Sequence, residues 1–305
     1  MSTARSQQSA VTTEDPSFPA IRWIHPKGDW PSFSPDGLQV VFTITRPDKG
    51  YSLYIMNSDG TGLRLLYPPA ETTGVSASRP DWSWNPNAIA FAHQAPGRTE
   101  IYTISPDGTG AAPYYQGDVP LPNGLIYPSW YRSCEALVAV GYTGTGTETQ
   151  AELYKLTPLS SEVLTTSPHP VAGRPSVSPD GENIAFAGNW GQYSQAQNQI
   201  WVVEPPGEPF RLEKGDDLSA IQGRSPNWSP LGDLIVFEST RPFLHPDPCT
   251  ALAIWIMNGE GTGLRQLTDR ALFSAFHAEW SRQQTQVVFA GQGQGIGIID
   301  FAAGG

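Results

Sequence analysis

One phrase returns six times along this chain, and its spacing limits the fold more than any other feature. It begins at Pro31, Pro80, Pro128, Pro175, Pro226 and Ala278, so successive starts lie 49, 48, 47, 51 and 52 residues apart. The fullest copies read Pro31-Ser-Phe-Ser-Pro-Asp-Gly37 and Pro175-Ser-Val-Ser-Pro-Asp-Gly181. A period of this size, built from short strands, predicts an all-β, six-bladed β-propeller with one four-stranded antiparallel blade per repeat.

Within a repeat the roles separate. The Pro-x-Trp-Ser segment alternates apolar and polar residues, as an innermost strand A requires. Ser-Pro-Asp-Gly is turn chemistry, with Pro presetting φ and Gly accepting a positive one. Strand B follows in Val40-Val41-Phe42, Ile89-Ala90-Phe91, Ile184-Ala185-Phe186, Ile235-Val236-Phe237 and Val287-Val288-Phe289. Strand C is the next run, for example Leu53-Tyr54-Ile55-Met56 and Ile254-Trp255-Ile256-Met257. An Asp-Gly-Thr-Gly type of turn then leads to strand D, clearest in Leu63–Leu66 and Leu264–Leu267. Trp82, Trp130, Trp228 and Trp280 share one repeat position and are expected in the core between blades; Trp23, Trp30 and Trp190 have no such account.

The last repeat is short. After Ile296–Phe301 only four residues remain, too few for a turn and a fourth strand. Ile21-Arg22-Trp23-Ile24 resembles a strand D and stands unassigned before the first repeat. It is expected to complete the last blade and close the ring, removing two exposed sheet edges. Residues 1–20, rich in Ser, Thr, Gln and acids, read as a disordered tail, and 21–305 as one propeller domain. The formal charge of −11 argues against nucleic-acid or anionic-membrane partners. With no leader-like or membrane-length apolar run, a soluble, monomeric, cytoplasmic protein is the expectation.

The phrases Pro-Ser-Phe-Ser-Pro-Asp-Gly, Leu-Tyr-Ile-Met-Asn-Ser-Asp-Gly-Thr-Gly-Leu and Ile-Trp-Ile-Met-Asn-Gly-Glu-Gly-Thr-Gly-Leu-Arg-Gln-Leu-Thr resemble TolB-like propeller repeats, a family related to WD-type propellers. The resemblance spans about residues 21–301. It implies a fold more than a function, because such propellers include periplasmic protein-binding subunits, lids of serine peptidases, and lyases. A peptidase role needs a Gly-x-Ser-x-Gly elbow, and the sequence has none. A lyase role of that kind needs a His cluster around a metal. His25, His93, His169, His245 and His277 form no spaced pair, and no Cys-x-x-Cys occurs, so no metal and no cofactor is expected. The recurring Asp-Gly turns lack calcium-loop spacing. The Asn227-Trp228-Ser229 sequon falls inside an innermost strand, where no glycan fits. Cys134 and Cys249 fall on opposite faces and are expected to be free thiols.

Strand geometry points to one end of the axis. In a propeller the D–A and B–C connections share a face, and here the B–C connections 46–50, 141–150, 189–198 and 241–250 are the long ones. Long loops on a rigid scaffold are where binding residues concentrate. The residues just before strand A are Trp30, Arg79, Tyr127, Arg174, Ser225 (with Arg224 before it) and His277. They are expected to encircle the axial mouth, the arginines receiving carboxylate or phosphate and the aromatics forming flat walls. Two functions fit: a binding or scaffold module engaging a protein segment or acidic ligand, or a lyase- or hydrolase-type enzyme acting on an anionic small molecule. In the second, His277 or Tyr127 would transfer protons. No nucleophile or dedicated base stands out.

Overall fold

The computed structural model describes residues 18–46, 50–69, 72–122, 124–144, 150–165, 171–188, 198–212, 223–240 and 251–301. Most of the 1–20 tail, much of the four long connections, and His169, Trp190, His245 and Cys249 lie outside these residues.

The described residues form strands and no helix. Strand β1 (Ile21–His25) precedes the first repeat, which contributes β2 (Asp29–Phe33), β3 (Gln39–Arg46), β4 (Gly50–Asn57) and β5 (Arg64–Tyr67). The second repeat supplies β6 (Ser76–Trp82), β7 (Ile89–Ala95), β8 (Arg98–Ile104) and β9 (Ala112–Pro113). The third supplies β10 (Gly124–Trp130), β11 (Leu137–Thr143), β12 (Gln150–Leu156) and β13 (Ser161–Val163). The fourth has a short first strand, β14 (Ser176–Val177), then β15 (Ile184–Gly188), β16 (Gln199–Val203) and β17 (Phe210–Arg211). The fifth forms β18 (Gly223–Trp228), β19 (Leu234–Ser239), β20 (Ala253–Asn258) and β21 (Arg265–Gln266). The last forms β22 (Ala275–Trp280), β23 (Gln286–Gly291) and β24 (Gly295–Asp300).

Pairing follows chain order within a repeat, antiparallel throughout, giving β2-β3-β4-β5, β14-β15-β16-β17 and β18-β19-β20-β21. The second and third repeats are not separate sheets: one parallel bridge, Gly124 to Thr99, joins them into eight strands. In the last sheet the order is β1-β24-β23-β22, with Ile21 opposite Ile299 and Trp23 opposite Gly297. Trp23 explains the glycines of this sheet. A Cβ at Gly291 would lie 2.5 Å, and one at Gly297 2.9 Å, from the Trp23 indole, so neither position tolerates a side chain beneath that ring.

The apolar core is distributed between neighbouring sheets. One cluster joins Val41, Leu53 and Ile55 to Trp82, Ile89 and Phe91. Another joins Phe33, Phe42 and Met56 of the first repeat to Ile24, Val288, Ile296 and Ile298. Trp82, Trp130 and Trp280 are buried in clusters of this kind, as their shared repeat position predicts, whereas Trp228 at the same position is half-buried against another.

A second periodic position is polar. The second residue of each phrase is Ser32, Asp81, Ser129, Ser176, Asn227 or Glu279, all buried. Its side chain accepts the main-chain N–H of the next repeat: Ser32 from Trp82, Asp81 from Trp130, Ser176 from Trp228, Asn227 from Trp280 and Glu279 from Phe33. Each bond satisfies a buried donor that would otherwise cost about 1–3 kcal/mol. The sequon residue Asn227 is thereby committed to structure.

Candidate functional site

The residue expected just before strand A falls inside that strand in five repeats and has an unusual backbone there. Trp30, Arg79, Tyr127, Ser225 and His277 hold φ of 52°, 56°, 56°, 48° and 56°, in the left-handed region that L side chains rarely adopt. Four of them precede a proline, which itself disfavours helical conformations. The cause is a bulge: pairing of β2 with β3 skips from Asp29 to Ser32, that of β6 with β7 from Ser78 to Asp81, and β10, β18 and β22 do the same. Bulges re-aim side chains, and strain of order 1–3 kcal/mol per residue collects at functional sites. Arg174 is the exception, in the repeat whose first strand has only two residues.

Four of the six expected residues meet. The Trp30 indole stacks on the His277 imidazole with centroids 3.3 Å apart, and lies 5.2 Å from Tyr127. The Arg79 guanidinium carbon sits 4.7 Å from the Tyr127 ring and 5.2 Å from that of Trp30. Its Nη1 donates to Ser78 Oγ, while its Nε is buried without a hydrogen-bond partner. Burial pushes the neighbouring Tyr142 hydroxyl up to about 12, with Tyr127 adding to the shift and Arg79 opposing it.

Arg174 does not stand with them at the rim. It is 4% exposed, and its Nη2 lies 3.3 Å from Asp81 Oδ1 and 2.5 Å from Glu279 Oε2. Its charge is committed to two buried carboxylates of other repeats, so the expected role as an anion clamp gives way to a buried brace. Burial, reinforced by Glu279, raises the Asp81 pKa to about 6 despite the opposing pull of Arg174 and Arg282. Arg224 is half-buried and stands opposite Glu238 in register.

Two acids at this end carried no sequence signal. Asp29 Oδ1 accepts the main-chain N–H of Trp30 at 2.8 Å and meets His277 Nδ1 at 2.5 Å. Glu238, buried, accepts the His277 N–H at 2.8 Å and the Ser225 hydroxyl at 3.4 Å. Beside the mouth, a cavity of about 390 Å³ opens between the β1–β2 connection and the β23–β24 turn, with Asp29, Lys27, Ile44, Phe276 and Gln292 on its wall. The other candidates disperse. His93 is buried and stacks on Tyr102 at 3.9 Å. Among the described residues no three His, Cys, Asp or Glu side chains are grouped to hold a metal ion.

No family model and no curated protein matches the sequence. Solved structures do match the fold, and their class is the β-propeller. TolB from Acinetobacter baumannii superposes with a TM-score of 0.60 at 16% identity, over 87% of this chain and 64% of that one. An oligogalacturonate lyase in complex with manganese gives 0.61 at 14%, over 94% and 95%. A gluconolactonase from Xanthomonas campestris gives 0.64 at 12%, over 92% and 89%. At these identities the likeness carries the fold alone: the chain has the all-β fold of a β-propeller.

Proposed function

We propose that the six strand groups are the blades of one ring, closed by β1 on the last blade, and that its looped mouth is a binding site for a carboxylate-bearing segment of a protein partner. The closure rests on the pairing of β1 with β24, the apolar cluster between the first and last repeats, and the bond from Phe33 N–H to Glu279. Its relation to WD-type propellers and a cytoplasmic setting belong to the same reading.

The observation that carries the binding function is the Arg79 guanidinium held against Trp30 and Tyr127 on left-handed bulge residues. A planar cation lying along aromatic rings keeps its in-plane N–H groups for a carboxylate and loses little freedom on binding. Arg174 anchors the floor and is not available to ligand. Calorimetric titration with a Glu-rich hexapeptide tests the reading. Binding is expected to weaken as salt rises and to vanish in Arg79→Met with the melting temperature unchanged. Equal affinity for both proteins would remove the assignment.

A second reading, an enzyme acting on an anionic small molecule, is favoured by the Asp29–His277 contact beside the cavity. A carboxylate on Nδ1 orients an imidazole and leaves Nε2 to exchange protons. Turnover of a sugar lactone or an oligogalacturonate, lost in His277→Gln, would select it over the binding module.

A further inference from the structure

The opposite end of the same strands holds a cluster that the repeat pattern disguises. At the fifth residue of the phrase the regular repeats carry proline: Pro35, Pro179 and Pro230. Three repeats depart from this rule with Trp84, Arg132 and Arg282. In sequence the departures look like decay of a repeat. In space they meet: the guanidinium carbon of Arg282 lies 4.0 Å, and that of Arg132 5.0 Å, from the centroid of the Trp84 ring.

A guanidinium held over an indole by cation–π attraction can still use its N–H groups for other partners. Arg282 Nη2 donates to Trp82 O at 2.7 Å, but its Nε is buried without a hydrogen-bond partner. Arg132 is exposed, and its guanidinium forms neither an ion pair nor a hydrogen bond among the described residues. Of the acids in these turns, Asp36 and Asp180 accept from Ser34 and Ser178, and Asp233 from Ser229 and Gln284, while Glu135 and Glu182 are exposed. Asp81 lies deeper and shares Arg174 with Glu279. Two cations thus share one ring in a chain of net charge −11, Arg132 exposed and Arg282 half-buried with its charge also felt by Asp81.

We propose that the Arg132–Trp84–Arg282 stack is a second ligand site, on the turn face, for an oxyanion-bearing small molecule. Guanidinium edges match carboxylate and phosphate oxygens in pairs of parallel hydrogen bonds, and the shared indole holds the two cations near one another. The ligand would take up the donor edges and relieve the repulsion of two neighbouring cations. This site does not rest on the function assigned to the looped mouth, because none of its residues reaches that end.

Calorimetry with inorganic phosphate, pyrophosphate and succinate tests it, on the intact protein and on Arg132→Gln, Arg282→Gln, Trp84→Leu and Arg79→Met. One of the three probes is expected to bind, at least tenfold more weakly in Arg132→Gln and Arg282→Gln and unchanged in Arg79→Met. Preference for the phosphates over succinate would assign the oxyanion to a phosphate ester, and the reverse to a carboxylate. Arg132 is exposed and its guanidinium has no hydrogen bond or ion pair among the described residues, so its variant remains informative should Arg282→Gln or Trp84→Leu fold poorly. Absence of binding by all three probes at millimolar concentration, or binding indifferent to Arg132, overturns the proposal.

Discussion

At the looped end of the strands, aromatic rings and one arginine sit on residues with φ near 50°, and two acids, Asp29 and Glu238, tie the cluster down. At the turn end, two arginines and one tryptophan occupy positions where other repeats have proline, and no acid pairs with them among the described residues. Between them lies the buried Arg174–Asp81–Glu279 brace. One repeat has therefore been specialised twice. At the looped end the left-handed backbone lets side chains converge; at the turn end Cys134 and Gln284 are left-handed too, but the cluster there arises from a change of side chain. The brace keeps the ends separate, so a change at either should leave the other intact.

The largest expected effect comes from opening the seam between first and last repeats. Removing residues 1–27 takes away β1 and exposes an edge of β24. The loss should be comparable with the roughly 5–15 kcal/mol total stability of a domain. Removing residues 1–16 should leave the melting temperature unchanged. The Trp30–His277 stack crosses the seam, and the Arg282–Trp84 contact spans it too, so both ends should lose their clusters. Equal melting temperatures for the two truncations would sink the closure.

Next comes the brace. Arg174→Met strands two buried carboxylates and should cost about 3–5 kcal/mol in urea unfolding. The triple change with Asp81→Asn and Glu279→Gln should recover most of it. If the single variant proves as stable as the parent, the two ends are not divided by an ion pair of consequence.

A pH series sharpens the same point. The folded-state pKa of Asp81 is raised to about 6 from 3.8. Between these values the folded protein holds a proton that the unfolded chain has released, so this group's contribution to stability falls as pH rises through that window. Asp36, Asp59, Asp107, Asp180 and Asp233, each hydrogen-bonded in its turn, have lowered values and act oppositely, losing stability as pH falls through and below 3.8. The stability difference between parent and Asp81→Asn should therefore vary between pH 4 and 6 and be flat above about 7. A flat difference throughout would place the titration elsewhere.

The smallest effect concerns strain. Cys134, at the turn end, holds φ 61° in a half-buried turn and accepts one weak bond from Asn85 N–H. Cys134→Gly should gain roughly 0.5–1 kcal/mol by thermal shift, with phosphate or succinate binding unchanged. Tyr127→Gly should relieve similar strain and abolish hexapeptide binding, since there the strain serves to aim a side chain.

The strands were legible in sequence because each repeat states its own alternation and turn chemistry, and β1 was legible because one strand was missing at the end. The buried tryptophans followed from a shared repeat position. At the looped end, the sequence placed Trp30, Arg79, Tyr127 and His277 at one level, since position before a strand determines height along it. It could not tell that Arg174 turns inward, because that depends on carboxylates 93 and 105 residues away. Nor could it reveal Asp29 and Glu238, ordinary strand acids until the bulges bring His277 to both.

By itself, then, the sequence determined what is periodic: strand order, turns, the seam residues and the level of each candidate side chain. Those properties are local, set by alternation and backbone chemistry within about fifty residues. Which charges are neutralised, which backbone is left-handed, and that Trp84, Arg132 and Arg282 form one cluster were decided only by tertiary structure. Those depend on distances between residues of different repeats, and no local rule carries them.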